Sequence, residues 1–204
     1  MAGLLRIGSD VLHQSLLAGL PGVQQVPARF RRSDHWAELV RHGLLDGAIV
    51  SSFALADPEE AELQLGSSNE LAVLPLGPLR LQLVAAAEAT EQVLVPVRAA
   101  VPLLHQALAA AGFDLVQQLH ACQEPQSWLK RARDRQLALP ICSPLVGADW
   151  LAMHRLVPLQ RQPRLIEQLW LLLPQTAAHT PAAHQCLRRL RARLTSARRY
   201  AKSA

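Results

Sequence analysis

Acidic residues are missing from the end of this chain. From Gln168 to Ala204 there is no Asp or Glu, while Arg188, Arg189, Arg191, Arg193, Arg198, Arg199 and Lys202 crowd the same stretch. Cysteine is scarce too. Cys122, Cys142 and Cys186 are odd in number and widely spaced, which argues against a disulfide framework or a zinc site and points to thiols in a reducing, cytoplasmic compartment. With one Tyr and three Phe, aromatics are too few for a surface that stacks single-stranded bases. The longest apolar run, Leu71 to Ala87, is interrupted by Pro75, Pro78 and Arg80 and makes a poor membrane span. Met1 to Arg6 has no basic segment leading into a long apolar one, so no secretory signal is read there.

Signatures of catalysis are missing as well. The chain contains no G-x-G-x-x-G, no G-K-[ST] loop, no G-x-S-x-G and no H-E-x-x-H. Its eight histidines show no tight metal pairing, and the paired carboxylates Glu59-Glu60 fall in a solvated loop. The expectation is a protein that is not an enzyme and uses neither cofactor nor metal.

What is present is a core. Half of the 204 residues are apolar, enough for one domain or two small ones. Leu4 to Gly8 reads as a first strand and Ser9-Asp10 as the cap of a helix through Leu12, Leu16, Leu17 and Leu20. Val23 to Phe30 alternates as a second strand, its Pro27 favouring an edge. A second helix stops at Gly43, suited to the left-handed position that ends helices, and Ala48 to Ser51 is a short strand covered on both faces. Short strands follow at Glu62–Leu65, Glu70–Leu74, Leu79–Ala85 and Val93–Val95. Then come a helix Ala99–Ala111, a strand Leu115–His120, a helix Gln126–Arg135, a strand Leu137–Ile141 and a short helix Gly147–His154. A long strand Leu165–Leu173 and a closing helix Pro181–Arg199 complete the chain. Strands alternating with helices give α/β architecture with mostly parallel pairing. Leu187, Leu190 and Leu194 make the basic end first an amphipathic helix with a solvated face, and nucleic-acid contact is the lesser reading.

Ligand chemistry is expected where strands run into helices, because unpaired N–H groups and a partial positive charge collect there and hold oxyanions. Ser9 sits at such a junction and either caps its own helix or donates to a ligand oxygen. Ser51 and Ser52, Arg98 after Val95-Pro96-Val97, and Ser143 after Ile141-Cys142 occupy others. Arg98 offers a fork for an acid.

The opening Leu5-Arg6-Ile7-Gly8-Ser9, followed by the stretch from Leu39 to Val50 with Gly43, Leu45-Asp46 and Ala48-Ile49-Val50, resembles the effector-binding domain of LysR-type transcriptional regulators. That resemblance implies a two-lobed, type II periplasmic-binding-protein-like fold. Lobe I would be residues 1–76 plus 160–204 and lobe II residues 77–159, with crossing strands near Leu74-Pro75 and Leu156–Gln160. It also implies a small anionic effector in the cleft, with Ser9, Ser51, Arg98 and Ser143 as ligand-binding candidates. The helix-turn-helix that meets DNA would be a domain this chain does not contain. Subunits of the family pair through helix one and strand two, here Leu16, Leu17, Leu20, Val23 and Val26, although these residues would equally serve their own core. Where the family has a glycine-rich segment, this chain keeps Leu137-Ala138-Leu139-Pro140 and lacks both glycines. That departure leaves a second reading open: a stand-alone dimerisation or protein-interaction module with a vestigial cleft.

Overall fold

The computed structural model describes residues 4–9, 12–26, 34–54, 70–86, 91–96, 98, 101–118, 125–142 and 148–200. Strand β1 (Leu5–Gly8) lies parallel to both β2 (Val23–Val26) and β3 (Gly47–Ser51), with the short helix α1 (Gln14–Leu17) and α2 (Asp34–Arg41) as the crossovers. A 3-10 turn at Ser52–Ala54 follows β3. Next come β4 (Leu71–Ala85), β5 (Gln92–Pro96), α3 (Pro102–Ala110), β6 (Asp114–Gln118) and α4 (Pro125–Asp134). The chain continues through β7 (Leu139–Cys142), α5 (Ala148–Met153), β8 (Val157–Pro158), β9 (Leu165–Pro174) and α6 (Pro181–Tyr200).

The main sheet runs β2-β1-β3-β9-β4-β7, with β8 added to β4, and β5 pairs with β6 in a second, parallel ribbon. The α/β class read from the sequence holds, and the pairing is mixed. It is parallel among β1, β2 and β3 and between β5 and β6, and antiparallel wherever β4 or β9 takes part. These two long strands run side by side over residues 71–81 and 165–174. The far end of β4 then pairs with β7 and β8, so β4 belongs to both groups of strands.

Strand β4 corrects the sequence reading, which split it at Gly77-Pro78 into two. It passes through Pro75, Gly77 and Pro78 because its register slips between Pro75 and Gly77. An extra residue in one strand exchanges the faces of everything beyond it. Before the slip, Leu74 and Leu76 face the larger core; after it, Leu79, Leu81 and Leu83 face the same core. Only glycine fits comfortably at the slip, where Gly77 has φ +118°. Arg191 of α6 donates to the Pro75 carbonyl from Nε at 3.0 Å and Nη2 at 2.6 Å. The expected strand Glu62–Leu65 lies outside the described residues.

Two cores flank the sheet. On one face Trp36, Ala37 and Val40 of α2 cover Ala48, Val50, Trp170 and Leu172. On the other, α1 and α6 bring Leu16, Leu17, Cys186, Leu190 and Leu194 against Ile7, Ile49, Leu169 and Leu171, continuous with the core of α3 and β5.

The Leu39–Val50 stretch now has a physical reason for each residue. Asp46 accepts from the Arg6 backbone N–H at 2.7 Å, from Arg6 Nε at 3.1 Å and from Nη2 at 2.8 Å, and its own N–H donates to the Arg6 carbonyl at 2.9 Å. This clasp sets β1 beside β3. Gly47 must be small: a Cβ there would stand 2.8 Å from the Leu172 backbone oxygen and 2.9 Å from Ile7 Cδ1. No helix among the described residues is long and apolar enough to cross a membrane.

Candidate functional site

Alternation along three adjacent strands builds one polar row. Ile7 faces the larger core, so Ser9, two residues on, emerges on the same side at the end of β1. Ile49 does the same for Ser51 at the end of β3. Strand β9 is antiparallel to β3, with Ser51 opposite Leu169, and Glu167 follows two residues along on that face. Three polar side chains therefore sit at the carboxyl ends of β1 and β3. All three are buried, and α1 covers them with His13 and Gln14, which are buried too.

The centre of the group is an ion-pair contact that the sequence did not suggest. His13 Nε2 lies 2.6 Å from Glu167 Oε1, and both side chains are fully enclosed. A carboxylate buried this deeply is tolerated only when it is paired and hydrogen-bonded. His13 is also the residue before α1, and its ring turns to Glu167 instead of capping the helix. Beside the pair, Ser52 Oγ accepts from the Gln168 backbone N–H at 3.0 Å, tying the turn after β3 to β9. Outside the His13 ring, three buried atoms make no hydrogen bond with described residues: Ser51 Oγ, Gln14 Oε1 and Glu167 Oε2. Such atoms are uncommon in folded proteins, where buried polar groups almost always bond to protein or to water.

Helix α3 packs against the 52–54 turn. His105 on α3 donates from Nε2 to the Pro96 carbonyl at 2.8 Å, closing the end of β5. Burial pushes its pKa below the ordinary histidine value, the Pro96 carbonyl opposes that shift, and the positive charge of Arg98 adds to it. The ring is therefore a neutral donor at physiological pH.

The residues expected from sequence fall as follows. Ser9 and Ser51 are both buried in the row, although the residue at the cap position of α1 is His13, since α1 begins only at Gln14. Arg98 is exposed in the turn between β5 and α3. Ser143 lies outside the described residues. Leu16, Leu17 and Leu20 are buried in the chain's own core and have no surface left for a second subunit. Val23 and Val26, half-buried on the edge strand β2, keep theirs. Glu167 and His13 were missed; the available signal was a single acid inside the apolar run Leu165–Leu173. The arginines of α6 are partly spent internally. Arg193 Nη1 donates to the Leu16 and Ala18 carbonyls, each at 2.8 Å, and Arg189 donates to Pro21. Among the described residues no cluster of three or more His, Cys, Asp or Glu is placed to hold a metal.

Neither a protein-family model nor a curated relative matches this sequence. Solved structures do match its fold. The regulatory domain of MetR, a LysR-family regulator from Neisseria meningitidis, is similar with a TM-score of 0.61 at 14% identity, covering 94% of each chain. The reduced OxyR regulatory domain from Pseudomonas aeruginosa gives 0.60 at 10% identity, covering 94% of this chain and 98% of that one. The ligand-free regulatory domain of HypT from Salmonella typhimurium gives 0.59 at 13%, covering 96% and 97%. The chain thus has the periplasmic-binding-protein-like fold of LysR-family regulatory domains along nearly its whole length.

Proposed function

We propose that this chain is the effector-binding sensor domain of a LysR-type transcriptional regulator. Ligand entry would close two lobes, residues 1–76 with 160–204 against 77–159, about crossing strands near Leu74-Pro75 and Leu156–Gln160. The observation that carries this reading is the buried polar row of Ser9, Ser51, His13, Gln14 and Glu167 at the carboxyl ends of parallel strands. Open α/β sheets take their ligands at that position. Arg98 offers an anionic group of the ligand its partner across the cleft. A ligand that binds the closed arrangement more tightly shifts the population by its differential affinity and passes the change to a helix-turn-helix domain that contacts DNA. The proposed role is regulatory and cytoplasmic rather than enzymatic. Self-association would use the exposed edge of β2 near Val23 and Val26, since the leucines of α1 are enclosed.

A melting screen with organic acids, amino acids and inorganic oxyanions tests the proposal. At least one compound should raise the midpoint saturably, as linkage requires, and Ser51→Leu, which fills the row, should abolish the rise. No shift with any compound rejects the sensor reading. Sedimentation of the purified chain tests the β2 contact: Val26→Lys should lower the association, and an unchanged oligomer rejects it.

A further inference from the structure

Resting on that cleft reading, we propose that the effector carries a protonated amine, seated against Glu167, Gln14 and Ser51. The chemistry of the three buried atoms decides this. Glu167 Oε2 and Gln14 Oε1 are oxygens that accept hydrogen bonds, and Ser51 Oγ can serve either way. Two acceptors and a hydroxyl are complementary to a compact group with several N–H donors. An oxyanion placed there would set its lone pairs against theirs.

Charge points the same way. When the His13 ring is neutral and donates from Nε2 to Glu167, the pair carries one negative charge; when the ring is protonated, the pair is neutral. In neither state does this wall present a net positive charge. Helix α1 adds little, since four residues give a very small dipole. The nearby Arg193 is fastened to the carbonyls of Leu16 and Ala18, at the opposite end of α1 from His13. The cation this proposal uses is Arg98, exposed in the turn between β5 and α3. A ligand spanning the two would have an ammonium at the Glu167 end and an acid at the Arg98 end. An amino acid is the simplest molecule of that class.

The test is calorimetric titration of the purified chain with amino acids, each matched to the α-hydroxy acid of the same skeleton. Losing a charge-assisted hydrogen-bonding group in an enclosed site lowers affinity about tenfold or more. Each amino acid that binds should therefore exceed its hydroxy acid by that factor. Glu167→Gln, which keeps an acceptor for His13, should erase the difference. Gln14→Met is the second variant, and should narrow it in the same direction. Should Glu167→Gln fail to fold, nitrogen NMR of the unaltered chain takes its place: the His13 ring signals should move with the amino acid and stay put with the hydroxy acid. Equal binding of both series overturns the ammonium proposal and leaves the sensor reading intact. Binding of neither series, nor of any compound in the melting screen, overturns both.

Discussion

Removing one member of the His13–Glu167 pair should cost far more than removing both. The two side chains are completely enclosed and meet at 2.6 Å. Glu167→Leu keeps the volume and deletes the acceptor, so the imidazole loses its partner inside the core. The cost is about 1–3 kcal/mol if the ring is neutral and approaches about 3–5 kcal/mol if it is charged. A chain of this size loses roughly 2–4 °C of melting temperature per kcal/mol, so a fall on the order of 5–10 °C is expected. The double variant His13→Leu with Glu167→Leu leaves neither member of the pair orphaned and should recover most of that loss. Urea unfolding followed by tryptophan fluorescence measures the parent, Glu167→Leu, His13→Leu and the double variant, since Trp36, Trp128 and Trp170 are buried. A single variant within about 0.5 kcal/mol of the parent, or strictly additive variants, would refute the reasoning. The double variant should also lose any response to amino acids. An apolar core that is equally stable but deaf to ligand would show that the pair is kept for recognition.

Three further outcomes follow from the geometry. Gly47→Ala should destabilise the chain by about 1–3 kcal/mol in chemical denaturation, because the Leu172 backbone oxygen cannot retreat from the added methyl; an unchanged midpoint contradicts the close packing of β3 on β9. The Arg6 guanidinium, against a smaller opposing effect of burial, holds Asp46 below the usual carboxylate range. A carboxylate with a depressed folded-state pKa gives stability that is present above its unfolded value, about 4, and lost as the pH falls through the folded one. Unfolding curves from pH 6 to 3 should therefore fall less steeply for Asp46→Asn than for the parent. Cys186, its thiol pushed up to about 11 chiefly by burial, should resist alkylation in the native state at pH 8 and react readily in urea. Peptide mass spectrometry reads that site apart from the other two cysteines.

Much of the first fifty residues could be read from the chain because their signals are local. Gly43 stops α2 with φ +66°, as its place after Arg41-His42 suggested, and Ala48 to Ser51 is the buried strand its composition implied. The two serines at strand ends could be placed by the same means. Strand β4 could not, because a register slip hides its periodicity and two prolines imitate a boundary. The His13–Glu167 pair was illegible for another reason: 154 residues separate its members, and each alone looks like an ordinary polar residue on an apolar face. For Leu16, Leu17 and Leu20 the sequence left core and subunit contact equally open, and their burial beneath α6 could not be read from it. That helix lies across α1, and its arginines reach back to the carbonyls of residues 16, 18 and 21.

Those arginine bonds, with sequence separations of 116 to 177 residues, also set the order in which the protein can be finished. As the polypeptide leaves the ribosome, its first three strands appear early, yet β9 and α6 are the last described pieces made. Until they arrive, β3 has an open edge and the apolar side of α1 has nothing to lie against. Such long-range closure slows folding and leaves a window in which newborn chains can stick to one another.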